Sequence, residues 1–182
     1  MSSIKNNVSD QPFSSEIMVL GIGNILYSDE GFGVRVVEKI QRLYEFSNNV
    51  MLVDGGVLGV NLLGVISKPD HLIVVDAIRN KGNPGDLYRL EGDAIPDRIR
   101  AKNSLHQVDF LEALTLCQAL DKIPQTVIIG VEPEDIETQG LELTSTIQGK
   151  VDVVITMVLA ELKGLGVNYK KAITKHVSCN PI

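Results

Sequence analysis

The chain has 182 residues, of which 44% are hydrophobic and 4% aromatic, and a net charge of −6. That length suits one domain with an aliphatic core, and the acidic balance argues against a nucleic-acid partner. No uninterrupted apolar stretch reaches membrane-spanning length and residues 1–15 are polar, so a cytoplasmic protein without a membrane partner is expected.

Residues 17–21 form a continuous apolar run that predicts a buried strand. The segment Gly21-Ile-Gly-Asn-Ile-Leu-Tyr-Ser-Asp-Glu-Gly-Phe-Gly33 follows. Val34, Val36, Val37, Ile40 and Leu43 then have the spacing of a helix, placed over 31–43. A glycine-rich loop between strand and helix is a common binding position in open α/β sheets. It is a poor phosphate cradle, however. The third glycine of G-x-G-x-x-G falls on Leu26, no Gly-Lys-Ser/Thr follows, and Asp29 and Glu30 would repel a phosphate. Such a loop suits a cation or an electron-poor carbonyl.

Further strands are predicted over 50–54, 71–77, 86–90 and 126–131, and further helices over 57–66, 107–120 and 146–163. Ser104 with Gln107 and Ser145 with Gln148 fit the S-x-x-Q capping box at the last two helix starts. Ile147, Val151, Val154, Val158 and Leu162 recur at steps of three and four, giving the final helix one apolar face. Most of the strands are continuous apolar runs, which implies cover on both faces. The pattern therefore predicts a three-layer α/β/α sandwich around a mostly parallel, five-stranded twisted sheet. Strand 86–90 follows the turn Gly82-Asn-Pro-Gly85, too short for a crossover helix, and is expected to run antiparallel. Neither an internal repeat nor a linker divides the chain. It is read as a single domain, 1–182, with its core over about 17–163 and residues 166–182 as a tail or added arm.

The carboxyl ends of parallel strands share one edge of a sheet, and ligands bind outside it. Asp29 and Glu30 follow the first strand here, Asp54 ends the second, Asp76 ends the third, and Glu132 follows the fifth. His106 lies at the start of the 107–120 helix. Taken singly, each has a plainer reading. Asp29 is best placed to cap the first helix, Asp54 to serve the next helix or hold the Gly55-Gly56 turn, and Glu132, before Pro133, to be a loop carboxylate. Taken together, like charges on one edge need an offset such as a cation or a shared proton. Imidazole with carboxylates suits a borderline divalent metal such as zinc or nickel. There is no H-E-x-x-H, no G-x-S-x-G and no evident Cys–His pair. His71 begins a strand and belongs to the opposite edge. His176 and Cys179, in the tail, are weak ligand candidates, and Cys117 reads as a buried thiol.

These blocks resemble the hydrogenase maturation proteases, the nickel-dependent endopeptidases that process the large subunit of nickel–iron hydrogenases. The resemblance rests on Gly21-x-Gly-Asn-x-x-x-x-Asp-Glu-Gly-x-Gly33 with Val34-Arg35-Val36-Val37, Asp54-Gly-Gly-x-x-Gly59, Val74-Val-Asp-Ala77, Pro84-Gly85, Ser104-Leu-His-Gln107 and Gly130-Val-Glu-Pro-Glu134. It runs from about residue 17 to 163 and implies that Glu30, Asp76 and His106 bind nickel. The nickel belongs to the large-subunit precursor, whose C-terminal extension is removed once the metal is in place. The resemblance implicates Asp54 in substrate recognition or cleavage, and it implies an aspartic-type peptidase without the usual paired Asp-Thr-Gly motifs. The glycines of the first loop are then expected to let the precursor peptide approach the backbone. A monomer is expected. The alternatives are a nickel-binding maturation chaperone without peptidase activity and a nucleotide-binding module.

Overall fold

Strand β1 (Ile17–Ile22) is buried along its whole length, as its continuous apolar run requires. Its residues alternate between two cores. Ile17 and Val19 join Phe32, Val36, Val37, Ile40, Val154 and Val158 on one face of the sheet. Met18, Leu20 and Ile22 join Ile66, Leu72, Val74 and Ile128 on the other. A strand with both faces covered belongs at the centre of a layered fold. The structure, a computed structural model, describes residues 15–57, 63–92 and 124–172.

Helix α1 (Phe32–Leu43) packs on β1. The short strand β2 (Tyr44–Phe46) leads into β3 (Val50–Gly56). Helix α2 (Leu63–Ile66), β4 (His71–Ala77), β5 (Leu87–Glu91) and β6 (Gln125–Val131) follow. Then come α3 (Ser145–Gln148), α4 (Val151–Gly164) and β7 (Tyr169–Lys171). The main sheet has the order β3-β1-β4-β6-β5. Its first four strands are parallel, and β5 runs antiparallel to β6. Helices α1 and α4 touch each other on one face, and Ile66 of α2 enters the core of the other. The expected three-layer arrangement of a mostly parallel five-stranded sheet is therefore present. So is the antiparallel strand, whose turn closes through Asp86 N–H donating to the Asn83 carbonyl at 2.9 Å.

Some boundaries differ from the sequence reading. The predicted 146–163 helix is two helices. At Gly149 the N–H donates to the Ser145 carbonyl, whereas at Lys150 it donates to that of Ile147, so the helical ladder shortens by one residue. Ile147 and Val151 both stay in the core, so the apolar spacing passes through the break unmarked. The Ser145/Gln148 capping box does not form. Thr144 occupies the N-cap position, without a side-chain cap bond. Of the predicted 57–66 helix, Leu63–Ile66 is helical, Val57 lies in a turn, and 58–62 lie outside the described residues. The 107–120 helix, its Ser104/Gln107 box and Cys117 also lie outside them, as do His176 and Cys179.

The expected tail contributes a strand. β7 pairs antiparallel with β2, Tyr44 opposite Lys171 and Phe46 opposite Tyr169. The Tyr44 and Tyr169 rings meet edge-on at 5.6 Å, and Lys170 pairs with Glu45 at 2.9 Å. All three residues of β7 are exposed, so no apolar period announced it. Among the described residues no helix is long and apolar enough to cross a membrane.

Candidate functional site

The strand order creates a switch point. From β1 the chain moves to β3 on one side, and β4 then returns to pair with β1 on the other. Loops leaving the carboxyl ends of β1 and β4 consequently diverge and leave a crevice between them, the usual ligand position in such sheets. Glu30 is in the loop after β1 and Asp76 is near the end of β4, so the two flank that crevice.

Glu30 sits in a 3-10 turn, Ser28–Gly31, that leads directly into α1 and lies against β4. The close approach depends on two glycines. Gly23 has φ +137°, and a Cβ there would strike the Glu30 carbonyl. A Cβ on Gly33 would strike the carbonyls of Val75 and Ile22, so the start of α1 rests directly on sheet backbone. These two glycines are used by close contacts within the fold.

Asp29 is fully buried, with 0% exposure. It is not the helix cap that its position suggested, because Gly31 is the N-cap of α1 and no side chain bonds there. Its Oδ2 accepts from the N–H groups of Glu134 and Asp135 at 3.0 and 2.9 Å, and from the Thr144 hydroxyl at 3.1 Å. Its Oδ1 accepts from the Thr144 N–H at 2.8 Å. Ser28, at φ +36°, reaches the same segment, its N–H donating to Gly140 and its hydroxyl to the Glu142 carbonyl. Arg35 of α1 adds a bond to the Leu141 carbonyl at 3.0 Å. The segment 134–144 is thereby tied to the Glu30 turn.

Glu132 is 6% exposed, so the loop carboxylate expected there is buried. Its oxygens accept from the N–H groups of Asn80, at 2.9 and 2.7 Å, and Gly82, at 3.1 Å, and from the Tyr88 hydroxyl at 2.6 Å. It fixes the turn that follows Asp76 and Ala77. Burial, then the hydrogen bond to Glu132 and the charge of that carboxylate, push the Tyr88 phenol up from 10.0 to about 12. The neutral phenol is thus favoured by folding. Its contribution is fully present below pH 10 and is lost as the pH rises towards 12. Tyr88→Phe is expected to flatten the fall of stability over that interval in urea titrations. An unchanged alkaline slope would assign the loss to other groups.

Asp54 is exposed, and its Oδ1 accepts from the Gly56 N–H at 2.9 Å, holding the turn, one of the two roles the sequence left open. It pairs with Gly21 of β1, and Gly21 pairs in turn with Val75 of β4. Asp54 is therefore two strand spacings from β4, roughly 10 Å. Val75 lies in the α1-side core, whereas Leu72 and Val74, in phase with Asp76, lie in the other, so Asp54 and Asp76 alternate onto opposite faces. A directly hydrogen-bonded pair of these two carboxylates does not fit that spacing. His71 pairs with Ile17 at the opposite edge, as expected. His106 lies outside the described residues, and among the described residues no three His, Cys, Asp or Glu side chains cluster to hold a metal.

Sequence reasoning missed Thr144 and the inward roles of Asp29 and Glu132. The Glu132-Pro-Glu134 run at a strand end was the one available signal, and nothing marked Thr144.

Comparison with known proteins agrees with the fold. The family model described as hydrogenase maturation protease matches residues 34–161. The hydrogenase expression/formation protein HupD of Thiocapsa roseopersicina is 43% identical over 154 residues, covering 84% of this chain and 70% of that one. The hydrogenase 2 maturation protease of Escherichia coli K12 is 37% identical over 153 residues, covering 83% and 93%. The solved structure of the E. coli hydrogenase maturating endopeptidase HybD superposes with a TM-score of 0.82 at 35% identity, covering 86% of this chain and 97% of that one.

Proposed function

The chain belongs to the hydrogenase maturation protease family, and from that premise we propose that it removes a C-terminal extension from a nickel-loaded hydrogenase large-subunit precursor. The observation that carries the reading is the crevice at the switch point, flanked by Glu30 after β1 and Asp76 on β4. With His106 these carboxylates make a mixed oxygen and nitrogen donor set suited to nickel. The nickel is part of the substrate, and its engagement tests whether the precursor is loaded.

Docking fixes the extension across the crevice, and placement supplies much of the rate. A water adds to the scissile carbonyl, the carbon–nitrogen bond breaks, and the leaving amine takes a proton. Asp54, on the far side of β1, is the second carboxylate. β1 lies between β3 and β4, which are therefore roughly 10 Å apart, and a directly shared proton between Asp54 and Asp76 is disfavoured. The carboxylates then act through an intervening water.

The test is to mix the protein with nickel-loaded precursor and weigh the product intact. Loss of mass confined to the C-terminus is expected. A precursor that is bound but keeps its full mass would establish the chaperone alternative instead.

A further inference from the structure

We infer that Asp29 and Glu132 are positioning residues that fix the separation of Glu30 and Asp76, with segment 131–135 as the tie between them; this rests on the reading of Glu30 and Asp76 as the nickel-engaging pair. The two loops share one design. Each follows a strand at the switch point, and each contains a non-glycine residue in the left-handed region, Ser28 at φ +36° and Lys81 at φ +60°. Among the described residues these are the two such positions, and surrounding bonds must hold a backbone there. In each loop a buried carboxylate does so. Asp29 is adjacent to Ser28 and binds segment 134–144, and Glu132 binds the N–H groups of Asn80 and Gly82 on either side of Lys81.

The two carboxylates are joined by very little chain. Glu132 and the Glu134 N–H held by Asp29 are separated by Pro133 alone. Proline fixes its own φ, which stiffens that link. The backbone strengthens both ends. Ile78 N–H donates to the Val131 carbonyl at 2.7 Å, and Asp29 N–H donates to the Asp135 carbonyl at 3.0 Å. A displacement of the Glu30 turn is therefore transmitted to the turn beyond Asp76.

An ionised carboxylate accepts only, and Asp29 faces donors at both oxygens. Either orientation of an amide in Asp29→Asn sets its NH2 against a backbone N–H, of Thr144 or of Glu134 and Asp135. Outer partners of metal-engaging groups are typically worth 10–100-fold. Asp29→Asn, confirmed as folded by urea titration, is expected to lower kcat/KM on nickel-loaded precursor at least about tenfold. It is also expected to weaken Ni2+ binding in calorimetric titration of the protein with nickel chloride alone. Thr144→Val keeps the backbone bond and removes the hydroxyl, and should shift both readouts in the same direction by less. The double variant should be no worse than Asp29→Asn, because the two act through one contact.

Folded Asp29→Asn with wild-type kcat/KM and Ni2+ affinity would overturn the positioning role and leave the peptidase reading intact. If Asp29→Asn does not fold, Thr144→Val decides by the same two readouts. A wild-type protein that binds Ni2+ without cleaving would remove the peptidase reading alone. One that does neither would remove the site, and the positioning role with it.

Discussion

Glu30→Gln is expected to lower processing of nickel-loaded precursor by roughly a hundredfold or more while leaving the fold intact, since a lost ligand should cost at least as much as a lost outer partner. The substitution preserves shape and removes the charge that would engage the metal. The fold should survive because the turn is held by other groups: Asp29, Ser28, and the Glu30 N–H donating to the Tyr27 carbonyl at 2.9 Å. Single-turnover processing, read by intact mass, separates this from an effect on product release. Full processing by a folded Glu30→Gln protein would remove Glu30 from the nickel-engaging set.

Gly33→Ala is expected to be strongly destabilising, with a loss of about 3 kcal/mol or more by urea titration. A Cβ at Gly33 meets the backbone of Val75 and Ile22, and backbone within a central sheet cannot rotate away as a side chain can. Helix α1 would have to lift off β1 and β4, disturbing Phe32 and Val36 in the core and the Glu30 turn beside it. Gly64→Ala in α2 is the control. Among the described residues nothing lies within 4 Å of a Cβ there, and alanine is the better helix former. If Gly33→Ala unfolds at the same urea midpoint as the wild type, the close packing of α1 on the sheet is wrong.

The layers, the central sheet and its antiparallel strand were legible because burial on both faces leaves a continuous apolar run and the short connection between β4 and β5, 78–86, leaves no room for a crossover helix. The carboxyl edge was legible for a similar reason, since the ends of parallel strands must share it. Facing was not. Asp54 and Asp76 end two strands of one edge, yet their alternation sends them to opposite faces, and only the register through Gly21 shows it. Asp29 illustrates a second limit. A carboxylate just before a helix reads as a cap, but its partners are about a hundred residues away, at Glu134, Asp135 and Thr144. Exposed β7 was illegible because it lacks a buried face, and its pairing with β2 rests on backbone bonds and three aromatic rings.

The bonds between Asp29 and Thr144 also bear on the order in which the chain acquires its structure. They span 115 residues, whereas α1 packs on its sequence neighbour β1. Closing a long loop costs more entropy than closing a short one, so distant pairings form late. A nascent chain can assemble β1, α1 and β3 from local contacts, but the Glu30 turn cannot be locked until segment 134–144 has been synthesised and docked. For a peptidase this ordering makes cleavage competence wait for the C-terminal part of the chain, which also supplies Ile147, Val151, Val154 and Val158 to the core.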